Sequence, residues 1–310
     1  MWRYLRRDDR GRAALAGEAS AAAAAEALRG TGRPSGAYVP PLPAGAPPAR
    51  RPEPPAAPPI AFFDVDNTLM RGASIYHFAR GLASRDLFTT RDLLRFGWGQ
   101  MRFRISGTEQ AQQINAAREA ALAFVAGHDV NDLVTLCEQI YDESMADRIW
   151  EGTHRLIHRH LREGQRVWLV TATPVELADI IKRRLGLDGA LGTVAETVDG
   201  VYTGRLVGDL LHGPAKAAAI EALARHEGVD LSECTAYSDS SNDLPLLNAV
   251  GHPNAVNPDT ALRDHAIERG WPVHEFRRHR AALRVGVPAA IAGAVAGGVA
   301  MSVLRRRARR

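Results

Sequence analysis

Acidic, hydroxyl and ammonium side chains stand at the ends of predicted strands or at a predicted helix start in this chain. They are Asp64, Asp66, Thr171, Lys216, Asp239 and Asp243. Carboxylates grouped with a lysine can bind a divalent cation, move protons and attack an electrophile. Asp64 and Asp66 alone are also typical of calcium loops and ordinary turns, so that pair by itself leaves those alternatives open.

Three short apolar runs predict strands that are buried on both faces of a parallel sheet. They span residues 60–64, 167–171 and, more weakly, 234–238. Helical patterns cover residues 151–162, 175–185 and 215–226, with Pro174 and Pro214 near first-turn positions that tolerate proline. The alternation predicts a doubly wound α/β sheet with right-handed crossovers, whose carboxyl edge gathers the polar residues named above.

A helical insert is predicted between the first two strands, over residues 72 to about 150. Helix-period stretches occur at residues 75–83, 109–125 and 131–140. Because the insert directly follows the first strand, it can fold over the carboxyl end of the sheet, where open α/β folds bind ligands. Asp199-Gly200 further predicts a tight hairpin.

In their order along the chain, these residues resemble the four motifs of the haloacid dehalogenase superfamily. The resemblance covers roughly residues 60–276, and the position of the insert is similar to the first cap class, whose well-known members are the phosphoserine phosphatases. It implies a Rossmann-like sheet with a helical cap and a Mg²⁺-dependent phosphatase that works through an aspartyl-phosphate.

The resemblance also implies a role for each motif residue. Asp64 would be the nucleophile and Asp66 the general acid and base. Asp64 and Asp66 would hold magnesium together with Asp239, while Asp243 would support either Lys216 or a metal-bound water.

By the same resemblance, a second group of residues would bind the substrate phosphate. These residues are Thr68, Thr171, Lys216 and Asn242. Arg118, in the insert, is either an anchor for a substrate carboxylate or a solvated arginine on a helix face.

The charge balance of the proposed reaction supports a phosphatase. A carboxylate can attack a phosphate dianion only if positive charge offsets both groups, and Mg²⁺ with the Lys216 ammonium would supply that charge. Asp66 also discriminates within the superfamily, because dehalogenase-like and phosphonate-cleaving relatives lack this second aspartate and ion-pumping relatives carry threonine there. Phosphate-ester hydrolysis is therefore favoured.

Departures from the phosphoserine phosphatase pattern leave the substrate open. Those enzymes carry glutamate nine residues beyond the nucleophile, where this chain has Ala73. Their second motif contains Ser-Gly-Gly, which is replaced here by Thr171-Ala-Thr173. Their fourth motif contains Gly-Asp, which is replaced here by Ser238-Asp239. Phosphoserine, another small phosphorylated metabolite or a lipid phosphate remain candidates. A phosphotransferase with the same nucleophile and an inactive, membrane-anchored interaction protein are the alternative functions.

Charge and composition argue against nucleic acid as a partner. The net charge is +4; subtracting +4 for residues 1–59 and +9 for residues 277–310 leaves about −9 for the middle, which repels phosphate backbones. Residues 1–59, rich in alanine and proline, are predicted to be a disordered linker.

The C-terminal segment, residues 277–310, contains 20 residues without charge, 285–304, flanked by arginines. That length fits a bilayer core, and the predicted alternatives are a transmembrane helix or an interfacial or soluble one. Gly293 and Gly297 would allow a homodimer through close helix packing. The catalytic domain is expected at the cytoplasmic face of the membrane, or else free in the cytoplasm.

Overall fold

The protein is described from a computed structural model that covers residues 7–30, 57–83, 122 and 125–277. The chain divides into two compact units, Met1–Val273 and His274–Arg310. The strands that carry the predicted site residues belong to the first unit, and of the second unit residues 274–277 are described.

Parallel strands build the central sheet. Its strands are β1 Ile60–Phe63, β2 Arg166–Pro174, β3 Gly189–Thr193, β6 Thr235–Ser238, β7 His252–Val256 and β8 Val273–His274. They lie in the order β3-β2-β1-β6-β7-β8. The predicted hairpin is a separate pair of strands, β4 Ala195–Val198 and β5 Val201–Leu206, joined by Asp199 and Gly200 with φ of 50° and 79°.

Helices surround the sheet. In the described residues they are α1 Arg7–Gly30, α2 Ser74–Ala83, α3 Val130–Ser144, α4 Glu151–Arg162, α5 Val175–Leu185, α6 Pro214–Glu227, α7 Leu244–Asn248 and α8 Thr260–Arg269. Three 3₁₀ turns are added at Ala146–Arg148, Leu231–Glu233 and Ser241–Asp243. The three helices predicted after the insert are all present, and the alternation with parallel strands confirms the predicted α/β class.

The centre of the sheet is the most deeply buried part of the fold. Phe63 of β1 pairs in register with Leu169 of β2 on one side and with Tyr237 of β6 on the other, and all four residues of β1 are buried. Successive side chains point to opposite faces. Phe62 joins the core beneath α6, whereas Phe63 stacks on Tyr237 and meets His160 of α4 edge-on.

Two helices occupy the described part of the predicted insert. α2 and α3 pack against each other, and α3 also packs on α5, next to β2. Gly81 permits this contact, because a Cβ at Gly81 would stand 2.5 Å from a methyl carbon of Ile140. The helix-period stretch 109–125 lies largely outside the described residues.

The N-terminal segment differs from its prediction as a disordered linker over residues 1–59. Residues 7–30 form α1, which packs on α6 and reaches β3. Its inward face is made of small buried residues, namely Ala16, Gly17, Ser20, Ala21, Ala24 and Ala25. The prediction of disorder is wrong for these residues, because small side chains let the two backbones approach closely and many weak dispersion contacts add up.

The predicted C-terminal hydrophobic helix, residues 285–304, and its proposed dimer motif lie outside the described residues. Across the part of the chain that the structure covers, no helix has the length and apolar character needed to cross a membrane.

Candidate active site

The carboxyl ends of β1 and β6 bring the first and fourth motifs together. The Asp64 amide donates to the Tyr237 carbonyl at 3.0 Å, which continues the strand pairing up to the carboxylate itself. Asp64 is only 4% exposed. Lys216 enters from the first turn of α6, which Pro214 opens at a position where proline loses no helical hydrogen bond.

Lys216 bridges two carboxylates inside the protein. Its Nζ lies 2.5 Å from Asp64 Oδ1 and 2.7 Å from Asp243 Oδ2, and all three side chains are almost fully buried. The Ser238 hydroxyl donates to the same Asp243 Oδ2 at 2.7 Å. Of the two roles predicted for Asp243, this geometry corresponds to support of the lysine.

Burial and charge act against each other in this cluster. Burial raises the pKa of Asp64 to about 7; Lys216 opposes the shift, while the neighbouring Asp243 and Asp66 carboxylates add to it. Burial alone would lower the pKa of Lys216, but Asp243 and Asp64 outweigh it and hold that pKa above its ordinary value. The lysine is therefore a fixed positive charge shared by more than one carboxylate.

Asp66 is held by the residue that begins α2. Both the backbone N–H and the hydroxyl of Ser74 donate to Asp66 Oδ1, at 2.8 and 2.5 Å. Burial raises the pKa of Asp66, and the Ser74 hydrogen bonds partly oppose that rise. The turn between them requires Asn67 at φ 57°, and its side chain accepts from the Gly72 amide at 3.2 Å.

Thr171 reaches this network through a second threonine. Its hydroxyl donates to Thr173 Oγ1 at 2.9 Å, and the Thr173 amide donates back to Thr171 Oγ1 at 3.1 Å. Thr173 Oγ1 in turn lies 2.5 Å from the Ser74 hydroxyl. The second motif and Asp66 are thus connected by buried hydroxyl groups.

The remaining predicted residues are placed less centrally. Thr68 is fully buried; its carbonyl accepts from Thr153 of α4 at 2.7 Å, and its own hydroxyl finds no partner among the described residues. Asp239 is partly exposed, and its carbonyl accepts from the Asp259 amide at 2.8 Å. Asn242 is exposed on the adjoining 3₁₀ turn. Arg118 lies outside the described residues.

Three hydroxyl residues that hold the candidate site are absent from the predicted site residues: Ser74, Thr173 and Ser238. In the sequence, Thr173 and Ser238 stand out only as departures from a family pattern. Ser74 follows Asp66 by eight residues, and nothing in helical or strand periodicity relates the two positions. A serine at the start of the first cap helix was the available signal, because serine side chains commonly bond to nearby backbone and polar groups there.

The charge of the cluster fits a divalent cation. Within the described ranges, no three His, Cys, Asp or Glu side chains are grouped so that they would hold a metal ion by themselves. The Asp64, Asp66 and Asp243 carboxylates nevertheless interact through space with a single ammonium, so the buried centre carries excess negative charge when they are ionised. Carboxylate and backbone carbonyl oxygens are the ligands that Mg²⁺ takes, usually completed by water.

Comparison with known proteins identifies the family. The model of the haloacid dehalogenase-like hydrolases matches residues 61–248. The chain belongs to this family. Membership, with a close relative named as a phosphatase, confirms the family prediction and the predicted enzyme class, a hydrolase of phosphoric monoesters.

Relatives with high identity span most of the chain. A putative hydrolase of Mycobacterium leprae is 56% identical over 260 residues, which is 84% of this chain and 86% of that protein. A phosphoserine phosphatase, SerB1, of Mycobacterium tuberculosis is 56% identical over 247 residues, 80% of each chain. A crystal structure of a Bordetella pertussis protein of unknown function has a TM-score of 0.61 and 29% identity, and covers 71% of this chain and 100% of that one.

Proposed function

We propose that the protein is a Mg²⁺-dependent phosphomonoesterase that hydrolyses a small phosphorylated metabolite through an aspartyl-phosphate on Asp64. The observation that carries this proposal is the buried bridge of Lys216 between Asp64 and Asp243 at the carboxyl edge of the sheet. A fixed ammonium against a buried carboxylate is suited to bringing a phosphate dianion and an anionic nucleophile together.

The reaction has two chemical steps. In the first, an Asp64 oxygen bonds to phosphorus and the ester P–O bond breaks, while Asp66 gives its proton to the departing oxygen. In the second, Asp66 takes a proton from water, whose oxygen attacks the phosphorus; inorganic phosphate leaves and the Asp64 carboxylate is restored. Lys216, positioned by Asp243, holds the phosphate oxygens in both steps.

Magnesium would be held by Asp64, the Asp66 carbonyl and Asp239, as in the family. Bound there, the ion would supply positive charge that favours the ionised form of Asp64 and offsets the charge of the phosphate. The raised pKa of Asp64 makes this contribution favourable near neutral pH, because only the carboxylate is nucleophilic.

The identity of the substrate rests on observations other than those that support the reaction. A relative 56% identical is named a phosphoserine phosphatase, which supports a small phosphorylated metabolite as the substrate class. Ala73, however, places a methyl group where phosphoserine phosphatases carry the carboxylate that meets the substrate ammonium. We therefore propose a small phosphate monoester other than phosphoserine as the preferred substrate.

Purified full-length protein, assayed on a panel of phosphometabolites with Mg²⁺ and with EDTA, tests the proposal. The wild type should hydrolyse at least one panel member only with Mg²⁺, and beryllium fluoride, a phosphoryl mimic, should inhibit it. Asp64→Asn should abolish turnover, because an amide cannot form the acyl-phosphate. Asp239→Asn should weaken Mg²⁺ binding in calorimetry while leaving thermal stability close to wild type. Undiminished hydrolysis by Asp64→Asn would exclude the aspartyl-phosphate mechanism.

A further inference from the structure

A chain of hydroxyl groups links the second motif to the general acid–base residue. It runs from Thr171 through Thr173 and Ser74 to Asp66, with oxygen–oxygen distances of 2.9, 2.5 and 2.5 Å. Thr171, Thr173 and Ser74 are each at most 2% exposed. The links join residues from two separate segments of the chain, since Ser74 and Thr173 are 99 positions apart.

Asp66, at the end of this series of hydroxyl groups, fixes the direction in which each hydroxyl proton points. An ionised Asp66 carboxylate can only accept hydrogen bonds, so the Ser74 hydroxyl donates its single proton to Asp66 Oδ1. Ser74 Oγ must then accept from Thr173, and Thr173 Oγ1 must accept from Thr171, which is the observed donor. All three hydroxyl protons point toward Asp66.

We propose that Thr173 and Ser74 are positioning residues that fix which oxygen of Asp66 carries the catalytic proton. The inference rests on the proposed phosphatase reaction and adds to it. Ser74 donates twice to Oδ1, from its amide and its hydroxyl. Oδ1 is thereby held as an acceptor, and the proton that Asp66 gives to the leaving group resides on Oδ2.

In the absence of phosphate, the Thr171 hydroxyl donates its proton to Thr173 Oγ1 within the same series of hydroxyl groups. A bound phosphate oxygen has to compete with Thr173 Oγ1 for that proton. Removing the Thr173 hydroxyl therefore has two opposite consequences. Asp66 loses part of its orientation, whereas Thr171 becomes a better donor to phosphate.

The dependence of kcat/KM on the leaving group shows whether Thr173 and Ser74 position Asp66 or have a merely structural role. Protonation of the departing oxygen matters greatly for an alkyl phosphate, whose alkoxide is a poor leaving group, and little for p-nitrophenyl phosphate, whose phenolate leaves without help. The ratio kcat/KM reports the steps up to the first irreversible one, which is departure of this group. Glycerol 2-phosphate and p-nitrophenyl phosphate are the two probes.

Thr173→Val keeps the side-chain volume and removes the hydroxyl, while Thr173→Ser keeps the hydroxyl and is the matched control. We expect Thr173→Val to lower kcat/KM for glycerol 2-phosphate by about three- to tenfold, the effect of one neutral hydrogen bond, and to change p-nitrophenyl phosphate by less than about twofold. Inorganic phosphate should inhibit Thr173→Val at equal or lower concentration. Thr173→Ser should restore the wild-type ratio between the two substrates.

Ser74→Ala provides a second variant in which a single oxygen is deleted, should Thr173→Val fold poorly. It should show the same preferential loss on the alkyl phosphate. Equal losses on both substrates, no loss on either, or failure of Thr173→Ser to restore the ratio would each overturn the positioning role. If the wild type hydrolyses neither probe and no member of the phosphometabolite panel, the proposed function itself fails. If the wild type is active and Asp64→Asn abolishes that activity, the proposed function holds, and the variants at Thr173 and Ser74 then test the positioning role alone.

Discussion

Gly17 of α1 lies against the backbone of α6 so closely that a Cβ built on it would stand 2.7 Å from the Ala218 carbonyl carbon. Real Cβ atoms do not approach a backbone carbon to that distance, so the contact requires glycine. α6 is the helix that carries Lys216 in its first turn. The N-terminal helix therefore packs directly on the helix that supplies Lys216 to the candidate site.

Substitution of Gly17 and of Gly11 in α1 should have opposite effects. Gly17→Ala should destabilise the protein by about 1–3 kcal/mol, because the new methyl overpacks the contact between α1 and α6. Gly11→Ala is the matched control, since nothing lies within 4 Å of a Cβ at that position. Alanine there should stabilise the helix by up to about 1 kcal/mol. Urea unfolding of both variants measures the difference, and equal stabilisation by the two would show that α1 does not dock on α6.

Removal of the Lys216 ammonium should abolish turnover without abolishing the fold. Lys216→Met leaves the Asp64 and Asp243 carboxylates without the cation between them, so we expect kcat/KM to fall at least about a hundredfold and phosphate inhibition to be lost. Lys182→Met is the matched control. Lys182 is similarly buried and paired with Asp179 at 2.5 Å, but it lies on α5 outside the site. A Lys216→Met enzyme with wild-type affinity for inorganic phosphate would contradict the role of Lys216.

The sequence predicted the parts of the fold that follow from hydrophobic pattern. β1 and β6 lie within one residue of their apolar runs, β2 begins one residue before its run and extends three residues beyond it, and α4 and α5 have their predicted bounds. β3 and β7 were missed because Gly-Ala-Leu-Gly-Thr and His-Pro-Asn-Ala-Val have low intrinsic strand preference and are set by pairing with their neighbours. α1 was missed because close packing of small residues depends on the partner surface.

The candidate site, like the fold, could be predicted from the sequence only in part. Asp64, Lys216 and Asp243 could be placed together because strand ends and a helix start converge at one edge of a parallel sheet. The hydroxyl groups of Ser74 and Thr173 could not, since their contact joins the start of α2 to the end of β2, and no local pattern specifies that approach. Residues that hold a reactive group through one side-chain contact carry no periodic signal.

His160 should make the stability of the protein depend on pH below neutrality. It is 5% exposed, bonds to Gln165, and lies 2.8 Å from the Tyr237 hydroxyl through Nε2. Burial lowers its pKa from 6.5; Arg159 lowers it further, and Gln165 and Glu163 oppose the shift. The unfolded chain then binds more protons, so stability is complete above pH 6.5 and is lost as pH falls below that value.

A pair of histidine variants isolates this effect from other titrating groups. The loss of unfolding free energy between pH 7.5 and about pH 5.5 should be smaller in His160→Gln than in wild type. His252→Gln, at an exposed position, should lose as much as wild type. An unchanged pH dependence in His160→Gln would mean that His160 is protonated equally in the folded and unfolded chains.

Ala73 provides the test of substrate choice, because it is the residue where a phosphoserine phosphatase would carry its ammonium-binding glutamate. Its carbonyl accepts the amides of Tyr76 and His77 at 3.1 and 3.3 Å, so its side chain sits at the fixed entrance of α2, next to Ser74. Phosphoserine and 3-phosphoglycerate form a matched pair, since they differ only in an α-ammonium or a hydroxyl group. We expect the wild type not to favour phosphoserine, and Ala73→Glu to raise its relative kcat/KM by about ten- to a hundredfold, the effect of one charge-assisted hydrogen bond of roughly 1.5–3 kcal/mol. Ala73→Gln, of equal size but uncharged, should give a much smaller change. A wide preference of the wild type for phosphoserine would mean that another residue supplies the missing negative charge, and the substrate argument would then be wrong.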